Sequence, residues 1–203
     1  MMQLFEKLQN YILLQLIGDV EPERQAVLNQ LVDIIQQQLS ANKKVAINFV
    51  CTHNSRRSQF AQFWATVMAS YFDVKDVSCF SSGVEVTALH ENVVNTFVNI
   101  GVEVNHSGKE NPIYVLTYAE KAAPIKMFSK LLEDEINPQQ NFIAVMTCAE
   151  ADEGCPFLPG AIARIPLRYE DPKRFDGTNE VEKAYETTSQ LIANEMKYVF
   201  SRI

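Results

Sequence analysis

The chain has 203 residues, of which 47 % are apolar and 21 % charged, with 18 basic and 25 acidic residues and a net charge of −7. This composition is typical of a folded globular protein with a sizeable core, and it excludes a disordered chain. The negative charge disfavours a nucleic-acid partner held by phosphate contacts, and no apolar run reaches the roughly 20 residues of a membrane-spanning helix. Residues 1–10 lack the basic and apolar regions of a signal peptide, so we expect a cytoplasmic location and no membrane partner.

Two helices are predicted at the N-terminus, before any segment that carries chemistry. Apolar residues recur at three- and four-residue steps over residues 4–16 and again over 27–39, and Pro22 suits the first turn of the second helix. Residues 1–42 are therefore predicted to form a helical hairpin extension. It would pack on the main domain or on a second subunit, which leaves a homodimer through these helices open.

Strand and helix patterns alternate in the remaining residues, 43–203. Short apolar runs predict strands at 45–50, 77–81, 142–147 and 162–167. Helices are predicted after residue 55, at about 87–100, at 114–135, and at the C-terminus after a cap at Thr178. The alternation predicts one α/β domain, a three-layer sandwich around a four-stranded, mostly parallel sheet.

The segment that leaves the first predicted strand has the composition of an oxyanion-binding loop. Its backbone N–H groups and the positive end of the following helix can surround one oxyanion, and Arg57 adds a forked donor. The same positive field favours the thiolate of Cys51, a nucleophile near neutral pH, whose sulfur Ser58 can hydrogen-bond. A Cys and an Arg at this spacing also occur by chance, so the position between strand and helix is what indicates a site. The segment reads Cys51-Thr52-His53-Asn54-Ser55-Arg56-Arg57-Ser58.

Two further groups follow later strands and are expected at the same edge of the sheet. Cys148 and Cys155 are separated by six residues, a spacing that zinc sites rarely use, so no metal site is predicted and redox exchange in a mobile loop is favoured. Asp171, stiffened by Pro172, can approach the anion site and donate a proton to a leaving oxygen. The fourth cysteine, Cys79, lies inside a predicted strand and is interpreted as buried filler.

Three motifs resemble the low-molecular-weight protein tyrosine phosphatase superfamily. They are VCTHNSRRSQ at residues 50–59, FSSGVE at 80–85, and Asp171-Pro172. Cys148 and Cys155, the latter followed by Pro156, point more narrowly to the thioredoxin-coupled arsenate reductases. The resemblance covers about residues 45–200 and leaves the N-terminal helices outside it.

The resemblance implies reduction of arsenate to arsenite by a relay of three thiols that thioredoxin regenerates. In that mechanism Cys51 attacks the arsenate and Asp171 protonates the departing oxygen. Cys148 then attacks the sulfur of Cys51, and Cys155 attacks Cys148. The implied oxyanion-binding residues are Thr52, His53, Asn54, Ser55, Arg56, Arg57 and Ser58.

Other functions remain open on the sequence alone. A phosphatase would use Cys51, Arg57 and Asp171 without the other thiols, because arsenate and phosphate are nearly isosteric. A non-catalytic oxyanion-binding or redox-sensing module would bind sulfate or phosphate without turnover. No tightly bound cofactor is expected. The resemblance implies a monovalent cation near Asn54 and Ser81, a site weakened by the neutral Gln62 where some family members carry Glu.

Overall fold

A four-stranded parallel sheet forms the centre of the protein in this computed structural model, which describes residues 2–17, 19–154 and 158–203. The strands of the chain are β1 (Val45–Cys51), β2 (Val77–Gly83), β3 (Glu103–Ser107), β4 (Ile113–Thr117), β5 (Ile125–Met127), β6 (Phe142–Met146) and β7 (Ala161–Pro166). The helices are α1 (Glu6–Leu14), α2 (Pro22–Ser40), α3 (Arg57–Tyr71), α4 (Glu91–Asn99), α5 (Ala149–Gly154) and α6 (Val181–Phe200). The central sheet has the order β2-β1-β6-β7, and each neighbouring pair is parallel. The predicted α/β fold class with its four-stranded sheet is thus confirmed.

Both faces of the central sheet are buried, which explains why its inner strands read as continuous apolar runs. Ile47 and Phe49 of β1 point into the larger core, together with side chains of α1, α2, α3 and α6. Val50 points to the opposite face, into a smaller cluster that also contains Cys51 and Cys148. The two thiols therefore share one buried cluster on one side of the sheet.

The two N-terminal helices pack on the main domain. Leu8 and Ile12 of α1 and Leu28 of α2 are fully buried in the larger core. The carbonyl oxygens of Ile12 and Leu16, near the end of α1, accept hydrogen bonds from Lys197 Nζ at 3.2 and 2.6 Å. A basic side chain that satisfies C-terminal carbonyls fixes a helix end, so α1 is attached to α6 by polar as well as apolar contacts. Within the described residues, no helix is long and apolar enough to cross a membrane.

The helix predicted at 114–135 is wrong. This part of the chain contains β4 and β5, which pair with β3 in a second, antiparallel three-stranded sheet. The β-branched and aromatic side chains of Ile113-Tyr114-Val115 suit a strand, and Pro124 stands just before β5, outside the ladder. The pairing with β3 decides the outcome, because a short apolar segment adopts the structure that its distant partner offers.

Two helix starts also differ from the sequence prediction. The helix predicted from about residue 87 begins at Glu91, because the backbone before it is bound elsewhere: His90 N donates to Ser55 O at 3.1 Å. Thr178 does not cap α6, whose N-cap is Glu180. The Thr178 hydroxyl instead accepts from Glu180 N at 3.2 Å and donates to Phe175 O at 2.7 Å, in the turn before the helix.

A buried carboxylate joins α2, α6 and the segment after β7. Glu195, only 1 % exposed, accepts both Arg24 Nε at 2.6 Å and Arg24 Nη2 at 2.9 Å, and the Tyr169 hydroxyl at 2.6 Å. We expect Glu195→Ala to lower the free energy of unfolding by on the order of 3 kcal/mol, because two polar groups lose their buried partner. Urea unfolding checks this against Glu186→Ala, an exposed carboxylate on the same helix, for which a change within about 0.5 kcal/mol is expected. Equal effects of the two variants would contradict it.

Candidate active site

The candidate site lies at the carboxyl edge of the central sheet, where parallel strands direct the segments that follow them. The loop after Cys51 leads into α3, and two backbone hydrogen bonds extend the sheet beyond the ends of β6 and β7. Thr147 N donates to Val50 O at 2.8 Å, and Tyr169 N donates to Thr147 O at 3.0 Å. This extension places Cys148 beside the start of the loop and brings the segment after Tyr169 toward the same point. Ligands of open α/β sheets bind at such an edge.

A chain of hydrogen bonds leads to the sulfur of Cys51, the predicted nucleophile. Lys130 N donates to Asn54 Oδ1 at 3.1 Å, which orients the Asn54 amide so that its Nδ2 donates to Ser58 Oγ at 2.8 Å. Ser58 Oγ, already an acceptor, lies 3.0 Å from Cys51 Sγ and is free to donate its own proton to that sulfur. A hydroxyl donor stabilises a thiolate more than a thiol. The local sequence thus places the Ser58 hydroxyl against Cys51 Sγ, in position to donate to the predicted thiolate.

The backbone of the loop is held in an uncommon shape. Asn54 has φ +46°, in the left-handed region that Asn tolerates better than most residues. Gly83, at the end of β2, passes so close to the loop that a Cβ there would lie 2.7 Å from both Asn54 N and Thr52 O. Thr52 O also accepts Val84 N and Glu85 N at 2.8 and 2.9 Å. The glycine of the second motif therefore serves close backbone approach to the loop.

Arg57 lies at the first turn of α3 and is only 8 % exposed. Its Nη1 donates to Tyr169 O at 3.0 Å and its Nη2 to Asp171 Oδ2 at 2.7 Å. The third guanidinium nitrogen, Nε, is buried without a hydrogen-bond partner among the residues that the structure describes. An unpaired buried donor is unfavourable unless a ligand satisfies it. Arg57 is thus fixed on two sides, and its Nε–H is left for an anion.

Cys148 precedes α5 and is fully buried. Its Sγ lies 3.5 Å from Thr52 Oγ1 and accepts Ala151 N at 3.4 Å. Burial raises the pKa of the Cys148 thiol, and the hydrogen bonds from Thr52 and Ala151 and the charge of Arg57 only partly offset this. Cys148 is therefore held as a thiol beside the loop, in contact with the residue that follows Cys51. Cys155 lies outside the described residues.

The helix that follows Cys148 is held by ion pairs. Asp152, 7 % exposed, is paired with Arg164 of β7 and with Arg168. Arg164 Nη2 also donates to the Asp152 carbonyl. These contacts fix α5, and with it the Ala151 N–H that Cys148 accepts.

The remaining predicted site residues take different positions. Asp171 is one-third exposed, and its Oδ1 accepts Lys173 N at 3.0 Å while Oδ2 pairs with Arg57. Arg56 points away from the loop, with Nε bonded to the Tyr185 hydroxyl at 2.6 Å and Nη2 to Asp176 at 2.9 Å. Its only contribution to an anion site is therefore its backbone N–H.

Two loop residues connect the loop to its surroundings. Nε2 of His53 lies 3.2 Å from Oε2 of the exposed Glu85. The backbone carbonyl of His53 accepts a hydrogen bond from Ser129 Oγ at 2.8 Å. Ser55 Oγ donates to Ala88 O at 2.7 Å. Their side chains thus stabilise the loop from outside, while its backbone N–H groups remain the predicted anion donors.

Similarity to known proteins agrees with this geometry. No protein-family model matches the chain. It is 24 % identical to the arsenate reductase of Bacillus subtilis (strain 168) over 152 residues, which are 74 % of this chain and 91 % of that protein. It is 26 % identical to the arsenate reductase of Halalkalibacterium halodurans over 140 residues, 68 % of this chain and 81 % of that one.

Solved structures show the same fold. The low-molecular-weight protein tyrosine phosphatase from T. tengcongensis superposes with a TM-score of 0.53 at 14 % identity, over 79 % of this chain and 100 % of that one. A low-molecular-weight phosphotyrosine phosphatase from Vibrio cholerae O395 superposes with a TM-score of 0.50 at 12 % identity, over 75 % of this chain and 92 % of that one. The predicted resemblance to this superfamily is confirmed. At these identities the structural likeness concerns the phosphatase fold alone.

A groove opens beside Arg57 and Asp171 of this site. Its volume is about 1300 Å³, and it runs along α6 from Glu180 to Leu191, with Arg24 of α2 on its wall. A free four-oxygen anion would occupy only a small part of it. Basic side chains such as Lys173 and Lys183 line it beside several carboxylates, so the approach to the site is polar and of mixed charge.

Several residues that shape the site were not found from the sequence. Lys130 and Ser129 hold the loop from a segment about 75 residues away, and Tyr169 supplies an acceptor to Arg57 through its backbone. Their side chains carry no motif, and a backbone carbonyl has no sequence signal at all. Only the pairing of distant segments reveals them.

The oxygens predicted for a monovalent cation already have protein partners. Asn54 Oδ1 accepts Lys130 N, and Ser81 Oγ accepts Lys130 Nζ at 3.4 Å while it donates to Gln62 Oε1 at 2.6 Å. A metal cation at this position would face an ammonium group and oxygens that are already hydrogen-bonded. The residues present do not fit a potassium or sodium ion.

Proposed function

We propose that this protein reduces arsenate to arsenite with Cys51 as the nucleophile and Cys148 as the second thiol. The observation that carries the proposal is that the sheet edge brings both thiols into one buried cluster, where Thr52 of the anion loop contacts Cys148. A phosphatase needs only the first thiol. The curated relatives named arsenate reductases match 64 to 74 % of the chain and support the same choice.

The first step uses the anion loop. The Cys51 thiolate attacks arsenic, one arsenate oxygen leaves as water, and a proton for it comes from Asp171. Because Asp171 occupies Arg57 Nη2 at rest, an incoming oxyanion competes for that donor and completes its binding on the unpaired Arg57 Nε. Anion binding thereby releases the Asp171 carboxylate, which takes up a proton from solvent and then donates it to the departing oxygen.

The second step is thiol exchange. The Cys148 thiolate attacks Cys51 Sγ, and a disulfide forms as the sulfur–arsenic bond breaks. The electron pair of that bond passes to arsenic, which is reduced from As(V) to As(III) and leaves as arsenite. Cys155 then attacks Cys148, which returns Cys51 to the thiolate. The two thiols of thioredoxin reduce the Cys148–Cys155 pair. The role of Cys155 rests on its sequence position alone.

Partners and location extend this proposal. Thioredoxin as reductant follows from the sequence resemblance and stays a prediction, as does the cytoplasm as compartment. A homodimer through the N-terminal helices is also a prediction. Three apolar side chains at the end of α1 and just after it support a dimer, because they are exposed on the surface. Leu13, Leu14 and Ile17 are 55 %, 74 % and 79 % exposed. Sedimentation of the 203-residue chain tests it.

A phosphatase acting on phosphomonoesters is the second candidate. The groove of about 1300 Å³ beside Arg57 favours it, because such a volume accommodates an organic group attached to the phosphate. In that reaction Cys51 forms a cysteinyl-phosphate and Asp171 protonates the leaving alcohol. Cys148 has no part in it, which separates the two candidates by experiment.

The deciding experiment couples arsenate reduction to NADPH oxidation through thioredoxin and thioredoxin reductase. We expect oxidation that depends on arsenate, on thioredoxin and on this protein. Hydrolysis of p-nitrophenyl phosphate is measured in parallel. Phosphatase activity without any arsenate-dependent oxidation would reject the reductase, and tight phosphate binding with neither activity would indicate a non-catalytic module.

Asp171→Asn should separate binding from turnover. We expect phosphate to bind about threefold or more tightly, because the carboxylate that competes for Arg57 Nη2 is removed. Arsenate turnover should fall about 10²-fold, since amide nitrogen does not act as an acid. Titration calorimetry with phosphate and the coupled assay measure the two effects, with Glu170→Gln, an exposed neighbour, as control. Weaker phosphate binding by Asp171→Asn would contradict the competition.

A further inference from the structure

Lys130 is a buried basic residue that the proposed reaction does not use. Lys130 is only 2 % exposed. Its Nζ lies 3.4 Å from Ser81 Oγ, 3.5 Å from Phe128 O and 4.9 Å from the centre of the Phe128 ring. Burial lowers the pKa of Lys130 to about 8, and the charge of Asp134 partly offsets this. The side chain is therefore cationic at neutral pH. A buried ammonium with weak, long contacts is unfavourable for stability alone.

The same residue is bonded to the anion loop through its backbone. Lys130 N donates to Asn54 Oδ1, and Lys130 O accepts Gly83 N at 2.9 Å. Asn54 in turn holds Ser58, which contacts Cys51. The buried ammonium group thus belongs to a residue whose backbone holds the loop, and its position is coupled to the donors that act on the predicted nucleophile.

We propose that Lys130 is a positioning residue whose side-chain ammonium takes the place of a bound monovalent cation behind the anion loop. Ser81 and Gln62 form the polar wall that receives it: Lys130 Nζ donates to Ser81 Oγ, and Ser81 donates to Gln62 Oε1. The ammonium favours an oxyanion in the loop and the thiolate of Cys51 through the low-dielectric interior. The inference rests on the proposed role of Cys51 as nucleophile.

Cation dependence at pH 7 tests the inference. For the wild type, we expect inorganic phosphate affinity and the rate of Cys51 alkylation by iodoacetamide to be equal in KCl and in choline chloride. Lys130→Ser should weaken phosphate binding and slow alkylation about tenfold in choline chloride, the effect of removing one partly screened charge. For this variant, KCl should raise both phosphate affinity and alkylation rate at least threefold above their values in choline chloride, because the shortened side chain leaves room and oxygens for the ion. These readouts do not need arsenate turnover, so they stand apart from the fate of the reductase proposal.

Two further variants make the result specific. Lys130→Met fills similar space without a charge, so it should show the same loss with no rescue by KCl. Lys126→Ser removes an exposed lysine of β5 and should match the wild type. Thermal unfolding of each variant confirms that it is folded. Stimulation of the wild type by KCl, an unchanged Lys130→Ser variant, or a loss in Lys130→Ser that KCl does not reverse would each overturn the inference.

Discussion

Cys148→Ser is expected to abolish arsenate-dependent NADPH oxidation, with a loss on the order of 10³-fold or more. Serine keeps the size of the buried side chain but cannot attack the sulfur of Cys51 or form a disulfide. Phosphate binding and any hydrolysis of p-nitrophenyl phosphate should be almost unchanged, because Cys51, Arg57 and Asp171 remain in place. The coupled assay and phosphate titration measure both outcomes on the same protein.

The fourth cysteine provides the matched control. Cys79 lies in β2, and burial raises the pKa of its thiol to about 12, so it does not react at neutral pH. Cys79→Ser should therefore keep the activity of the wild type. The relay would be contradicted if Cys148→Ser retained arsenate turnover, or if both serine variants lost it to the same extent.

The pH profile adds a second readout of the Cys148 step. The raised pKa of Cys148 means that only a small fraction is thiolate at neutral pH, and that this fraction increases as the pH rises toward the pKa. If attack by Cys148 limits the rate, arsenate turnover should increase above pH 7.

Arg57→Lys is expected to lower arsenate turnover about 10²- to 10³-fold, the loss typical of removing a preorganised oxyanion donor. Lysine keeps the charge but loses the fork, so it cannot bind Tyr169 O, Asp171 and an anion at once. Phosphate affinity should fall in parallel. The neighbouring Arg56 gives the comparison: Arg56→Lys should have a much smaller effect, because its guanidinium is bonded to Tyr185 and Asp176.

The comparison of adjacent arginines distinguishes a specific donor from a general positive charge. If both lysine variants lost equal affinity for phosphate, the anion would be bound by the general positive charge at the start of α3 and not by the guanidinium of Arg57. If Arg56→Lys had the larger effect, the placement of the two side chains would be wrong. Circular dichroism of each variant confirms that the fold is retained.

The sequence by itself determined the central sheet and the elements that present the loop. The runs at β1 and β6 are apolar over their whole length because both faces of these strands are buried, and this signal is local. Parallel strands put their carboxyl ends at one edge, so the approach of Cys148 to the anion loop follows from topology without any knowledge of contacts. The motif residues then predict Cys51 as the nucleophile.

Only the tertiary structure decided the second sheet and the partners of the charged side chains. The strands over 103–127 exist because they pair with one another, and a short apolar segment does not show its partner. Arg56 and Arg57 are identical in type and adjacent in sequence, yet one binds Asp176 and the other Asp171. Lys130 reaches the loop across 76 residues. Such contacts depend on distances between distant segments, and these are set when the whole core packs.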